Sequence, residues 1–221
     1  MTSKVTPKIS EQERVYGELR DSIMTGMYLP GEKLTEESVS RTFETSRSTV
    51  RLCLSMLERD GIVSLEPRRG FMVSKISIDE ALELLEARSR IESYVGRLAA
   101  KKITEEKIED MEFLLEEMNN AVIKQDYDRY SLLNTEFHGI IYQSAANKGL
   151  EYVSLQLKTK IIRLQYKIAH IKGRPERSIK EHAEIFQALK ERNEEKTEGL
   201  LRSHIDGIRE LILENYGLLE A

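Results

Sequence analysis

Residues 34–73 read LTEESVSRTFETSRSTVRLCLSMLERDGIVSLEPRRGFMV, and the order of caps, charges and turns in that run decides the fold of the first third of the chain. Thr35 is placed to cap a short helix reaching about Phe43, with Glu36 and Glu37 in the first turn, where the helix dipole favours acids. After Glu44-Thr45, Ser46 caps a second helix from Arg47 to about Asp60. Its inward stripe is Val50, Leu54 and Leu57, and its outward face carries Arg47, Ser48 and Arg51. Two short helices joined by so tight a turn have helix-turn-helix geometry, in which the first residues of the second helix meet base edges in the major groove. Arg suits the two-pronged contact to guanine, and Ser and Thr hydroxyls reach phosphates or bases. Gly61 stops the helix. Ile62–Leu65 and Phe71–Val73 then read as two strands joined by Glu66-Pro67-Arg68-Arg69-Gly70, a hairpin whose arginine tip would lie against phosphate or the minor groove.

Upstream, Glu11 to Thr25 carries Val15, Leu19, Ile23 and Met24 at helical spacing, closed by Gly26 and the turn Tyr28-Leu29-Pro30-Gly31. Residues 1–77 therefore read as a winged helix-turn-helix domain: three helices and a small β-hairpin. The whole chain has 221 residues, 40% hydrophobic and 33% charged, which suits a helix-rich globular protein of one large or two small domains. Its net charge of −4 hides an asymmetry: 12 basic and 11 acidic residues through Ser77, 22 and 27 from Ile78 onward. Charge alone fits a solvated helix face; the basic hairpin directly after a helix pair favours DNA. No stretch approaches the roughly 18 uncharged apolar residues of a membrane span, the N-terminus lacks the apolar core of a secretory signal, and the single Cys53 excludes an internal disulfide. These features point to the cytoplasm.

The combination of Pro30-Gly31, Leu34-Thr35-Glu36, Ser46-Arg47-Ser48-Thr49-Val50-Arg51, Leu57-Glu58-Arg59-Asp60-Gly61-Ile62-Val63 and Arg69-Gly70-Phe71-Met72-Val73 resembles the winged-helix domain of GntR-family bacterial transcription regulators. That resemblance implies Arg47 and Arg51 as the main base and phosphate contacts, assisted by Ser46, Ser48 and Thr49, with Arg69 and Gly70 in the wing. The chain departs from the family at Thr49, usually Pro, at Leu52-Cys53, usually Glu-Ala, and at Glu37, where some members carry a DNA-contacting Arg.

Residues 78–221 show no strand pattern and read as an all-α antiparallel bundle, with helices at about 78–101, 104–124, 127–145, 148–171, 176–191 and 194–217. Asn134 and His138 stand at i and i+4, so their side chains point to one spot. His182 lies in the stripe Ile179, Phe186, Leu189, and His204 in the stripe Leu201, Ile208, Leu211. His170 shares its face with Arg163, Tyr166 and Lys167 and reads as a surface residue. His182 precedes Asn193 by eleven residues and His204 follows it by eleven. In a helical hairpin turning at Asn193, each sits roughly 16 Å from the turn, level with the other. A lone His on an apolar stripe is more often a satisfied core residue than a ligand. Three imidazoles buried together without a shared ion or hydrogen-bond partner would cost several kcal/mol in desolvated polar atoms. With an oxygen ligand, they suit Zn²⁺, Ni²⁺ or Mn²⁺ with positions left open.

This half resembles the FCD ligand-binding domain of the FadR-type GntR branch, through Arg88-Ser89-Arg90-Ile91-Glu92, Leu98-Ala99-Ala100, Asn134-x-x-Phe137-His138, Asn147, Glu181-His182 and His204. In that family, an Asp or Asn and three His bind a divalent metal that receives a small organic acid. The resemblance thus implies Asn134, His138, His182 and His204 as metal ligands. The resemblance also suggests Arg88 as a partner for an effector carboxylate; a surface or helix–helix salt bridge is the competing reading for that residue. The expected protein is a homodimeric, metal-dependent regulator without enzymatic activity. Its dimer would bind a pseudo-palindromic double-stranded DNA operator, respond to a small carboxylate metabolite and control genes of organic or sugar acid metabolism. Two other readings compete with it: a DNA-binding regulator whose metal is purely structural, and a metal-dependent hydrolase. Glu136 and Glu181 flank the implied ligands in sequence, and helical phase turns both away, which leaves the hydrolase without a general base.

Overall fold

The computed structural model describes residues 10–24, 26–161, 164, 168 and 170–215. The chain divides into two compact units, residues 1–75 and 76–221.

In the first unit, α1 (Glu11–Met24) buries Val15, Leu19 and Ile23, the apolar stripe of the sequence. Helix α2 (Glu36–Thr42) is capped by Thr35, whose side chain accepts from the Ser38 N–H. Ser46 accepts from the Thr49 N–H at the start of α3 (Arg47–Arg59). The turn between α2 and α3 needs one left-handed residue, and Glu44 takes it at φ 49°. Three strands are present where two were expected. Lys33–Leu34 forms β1, pairing Leu34 with Phe71, and β2 (Val63–Glu66) pairs antiparallel with β3 (Gly70–Val73) in the order β1-β3-β2. Glu66 and Gly70 are register partners rather than loop residues, so the wing turn is shorter than expected. Arg68 (φ 65°) and Gly70 (φ 85°) supply its left-handed backbone.

The described residues of the second unit form α4 (Ile78–Lys102), α5 (Glu105–Ile123), α6 (Tyr127–Ser144), α7 (Lys148–Lys160), α8 (Arg174–Lys190) and α9 (Glu194–Glu214). Five of them begin on the residue type that satisfies free N–H groups: Ser77, Thr104, Asp126, Asn147 and Asn193. Helix α8 begins two residues earlier than expected. Pro175, read as part of a break, stands in its first turn, where a missing N–H costs nothing. The first part of the expected helix 148–171 appears as α7, which ends at Lys160 with Ile161 as its cap, and Leu164 and Ile168 are again helical. Arg163, Tyr166 and Lys167, and the end of the expected last helix at residues 216–217, lie outside the described residues.

Helix α4 lies along α9, and Gly96 permits the approach, because a Cβ there would stand 2.0 Å from Leu201 Cδ1. Phe137, Met111, Met118, Leu133, Ile141 and Leu189 fill the main core, and Ile78, Leu85, Ile205 and Ile212 a second one. The described residues are mainly α, with a small three-stranded sheet in the N-terminal unit.

Candidate metal centre and nucleic-acid interface

At the start of α3, the polar side chains are exposed and organised. Ser46 Oγ lies 2.8 Å from Ser48 Oγ and 2.9 Å from Thr49 Oγ1, besides accepting from the Thr49 amide. The N–H at position 49, which a proline would lack, is thus used by the cap. Arg51 is exposed and donates twice to Glu36, Nε to Oε1 at 2.6 Å and Nη2 to Oε2 at 2.9 Å; the pairing lowers the pKa of Glu36. Arg47 lies 3.6 Å from Glu37, which also accepts from Arg41 at 2.5 Å. In the wing, Arg69 donates to Glu66 at 2.6 Å. Each arginine implied as a DNA contact therefore rests on a carboxylate that is nearby and exposed or nearly so, an arrangement weak enough in water to yield to phosphate.

Within the helical unit, α6, α8 and α9 bring His138, His182 and His204 together. One ligating atom from each lies within 4.8 Å of the others, and all three residues are buried. His138 Nε2 and His182 Nε2 are 3.3 Å apart. The rings of His182 and His204 have centroids 4.8 Å apart, and those of His138 and His204 5.4 Å. Phe137 covers the group, 4.9 Å from His182. Burial drives the pKa of His138 well below the ordinary imidazole value, assisted by Lys158 and the neighbouring rings, and it does the same for His182. His204 also shifts down with burial, against the opposing pull of Glu181. Neutral imidazoles keep a lone pair for a metal, so the electrostatics and the geometry agree. Asn134 stands one turn before His138, with its Oδ1 buried and without a hydrogen-bond partner among the described residues; Nδ1 of His138 and of His182 are in the same condition. An orphaned buried amide oxygen beside three converging rings fits a cation centre better than a closed core.

Two expectations need correction. Glu181 is not turned away: its Oε2 lies 2.7 Å from His204 Nδ1, and it also accepts from Arg174 at 2.9 Å and from Arg177 at 2.8 Å. Its carboxylate crosses from α8 to α9 because two arginines on its own helix hold it against the neighbouring ring. Burial would raise its pKa, but His204 and Arg174 outweigh that and hold it at about 2. Glu136, by contrast, is exposed. Nor is Arg88 an open fork. It is 1% exposed, donates Nε to Glu92 Oε1 at 2.5 Å and Nη2 to Oε2 at 3.3 Å, and Tyr142 Oη donates to the same carboxylate at 2.6 Å. Its partner is on its own helix, four residues on, and Nη1 is unpartnered among the described residues.

Sequence reasoning missed Lys158 and Ser154, both buried on α7 with Nζ and Oγ unpartnered among the described residues. Lys158 Nζ lies 6.0 Å from the Tyr142 ring centroid. Burial, then Arg88, pulls its pKa down to about 7 against the opposing effect of Glu92. The signal was available: Ser154, Lys158 and Ile161 fall on one helical stripe, and polar residues on a buried stripe mark a site. His170 is exposed, with Nε2 3.7 Å from Asp128.

A winged reading head and a separate helical unit with a buried histidine cluster define a DNA-binding regulator. Comparison with known proteins agrees: residues 11–73 match bacterial regulatory proteins of the gntR family, and residues 83–207 match the FCD domain. The chain belongs to the GntR family of DNA-binding transcriptional regulators, in the branch that carries an FCD domain. It is 30% identical over 208 residues to the uncharacterized HTH-type transcriptional regulator YdfH of Escherichia coli O6:H1, covering 94% of this chain and 90% of that protein. The gluconate operon transcriptional repressor of Bacillus subtilis is 29% identical over 156 residues, 71% of this chain and 64% of that protein. Escherichia coli McbR/YncC superposes with a TM-score of 0.82 at 20% identity, over 95% of this chain and all of the other, and so shares the fold. No helix among the described residues is long and apolar enough to cross a membrane.

Proposed function

We propose that this regulator is metal-dependent and ligand-responsive. His138, His182 and His204 with the amide oxygen of Asn134 hold a divalent ion such as Zn²⁺, Ni²⁺ or Mn²⁺, and a small carboxylate metabolite occupies the open positions. The observation that carries this reading is the cluster of three neutral, buried imidazoles beside the unpartnered Asn134 Oδ1, with His204 oriented from behind by Glu181. Such a carboxylate fixes the tautomer that leaves Nε2 free for the ion. The bound ion supplies a Lewis-acidic point for the acid; the protein supplies its orientation, with Arg88 Nη1 donating to the effector's oxygens.

The chain acts in the cytoplasm as a homodimer on a pseudo-palindromic operator, because two-fold protein symmetry asks for two half-sites. Ser46, Arg47, Ser48, Thr49 and Arg51 read the groove, and Arg69 and Gly70 place the wing. Similarity to a gluconate operon repressor supports genes of organic or sugar acid metabolism as targets. A regulator rather than a hydrolase is favoured by Glu181 itself: with its pKa at about 2 and three cationic or ring partners, it is a poor base near neutral pH.

Elemental analysis of the purified protein, with a thermal-shift screen of hydroxy, dicarboxylic and sugar acids, tests the proposal. One bound ion per chain and acid stabilisation that disappears on chelation are expected. Metal that raises the melting temperature while no acid changes it would make the ion structural. Full occupancy in His182→Ala and in His204→Ala would remove those residues from the site.

A further inference from the structure

Resting on the reading above, the geometry points to an effector with two acidic groups: one faces the histidine cluster, and the other is held by Lys158 Nζ, Ser154 Oγ and Arg88 Nη1.

Each of these three polar groups is buried and unpartnered among the described residues: Arg88 is 1% exposed, Ser154 0% and Lys158 4%. Ser154 and Lys158 are separated by one turn of α7, so both side chains lie on the same face, and α7 packs against α4, which carries Arg88. Tyr142 joins the two regions. Its ring is 6.0 Å from Lys158 Nζ and 6.3 Å from the His138 ring, and its hydroxyl shares Glu92 with Arg88. An ammonium, a hydroxyl and a guanidinium N–H, all donors in a water-poor interior, describe an anion site, since leaving them bare is costly.

Charge sets the stoichiometry. Glu92 neutralises Arg88, so Lys158 in its protonated form is in excess. Asn134 contributes no charge, so a divalent ion on this ligand set would keep its full double charge. A monocarboxylate leaves much of that cationic excess unbalanced, and a dicarboxylate of matching reach compensates it at both ends. Lys158 thus selects ligands by charge rather than merely packing α7.

The test uses full-length, zinc-loaded protein and three length-matched pairs of probes: malonate and propionate, succinate and butyrate, glutarate and pentanoate. Isothermal titration calorimetry gives Kd for wild type, Lys158→Met and Lys158→Gln. For at least one pair, the dianion should bind about tenfold or more tighter than its partner, the amount one charge-assisted hydrogen bond carries. Both variants should close that gap while leaving the monoanion within about threefold. Lys158→Met should melt no lower than wild type, because it removes an unpartnered ammonium. No dianion preference in any pair, or a preference the variants leave unchanged, overturns the inference, as does a Lys158→Met protein that melts well below wild type. Zinc content and titrations of chelated protein separate this outcome from the underlying reading. Zinc-free protein that retains a Lys158-dependent dianion preference sinks the metal and leaves the anion site, whereas bound zinc without that preference does the reverse.

Discussion

Glu181 and Glu136 flank histidines of the cluster and are alike in sequence, yet only Glu181 reaches a ring. Replacing Glu181 with Gln keeps a hydrogen-bond acceptor but removes the charge that orients His204 and balances Arg174 and Arg177. Losses of carboxylates behind metal-bound histidines weaken metal affinity by about 10–100-fold, which corresponds to roughly 1.4–2.7 kcal/mol. Glu181→Gln should fall near the lower figure. Glu181→Ala, which also removes the acceptor, should approach the upper one. Competition against a chromophoric zinc chelator at fixed pH and ionic strength measures both, with exposed Glu136→Gln as the control, expected within about twofold of wild type. If Glu181→Gln and Glu136→Gln both bind zinc like wild type, the 2.7 Å contact to His204 does not support a metal ligand, and the orientation argument fails.

Arg47→Ala and Arg51→Ala should each weaken operator binding by about 1–3 kcal/mol in gel-shift titrations at constant salt while the circular dichroism stays unchanged, because both side chains are largely exposed. In metal-free protein, the native pKa values of His138 and His182 lie below those of the unfolded chain, so their stabilising contribution is complete above about pH 6.5 and declines as the pH falls below it, by up to about 1.4 kcal/mol per unit per histidine. Lys158 adds a slope of the same sign between its usual 10.5 and about 7, and Glu181 one from its usual 4.5 down to about 2; urea unfolding that is flat from pH 8 to 5 would contradict this. Gly96→Ala should cost about 1–3 kcal/mol by thermal unfolding, since its Cβ would meet Leu201 Cδ1 at 2.0 Å and force α4 from α9.

The reading head was legible in the sequence because its signals are local. Thr35 and Ser46 accept the very amide hydrogens their positions imply, and Gly61 and Gly70 mark real turns. Strand β1 was invisible: two residues carry no periodicity, and only pairing with Met72 and Phe71 defines it. In the helical unit, phase placed His138, His182 and His204 on inward faces, and counting about Asn193 put two of them level. Phase failed for Glu181, because a long side chain clamped by Arg174 and Arg177 can cross to a neighbouring helix whatever its nominal direction. Arg88 was read without its partner, although Glu92 stands four residues on. Lys158 and Ser154 escaped because their helix was read only for its ends and not for its faces.

Helix α4 is one uninterrupted 25-residue rod, and Arg88 stands ten residues, about 15 Å, from its first residue. Only Ser74 to Ser77 separate that first residue from Val73, the end of the wing strand. The near end of this helix is thus tethered to the wing strand by four residues. On the ligand-responsive reading proposed above, slack inserted in that tether, for instance by adding glycines, should uncouple metabolite from operator while leaving each affinity intact.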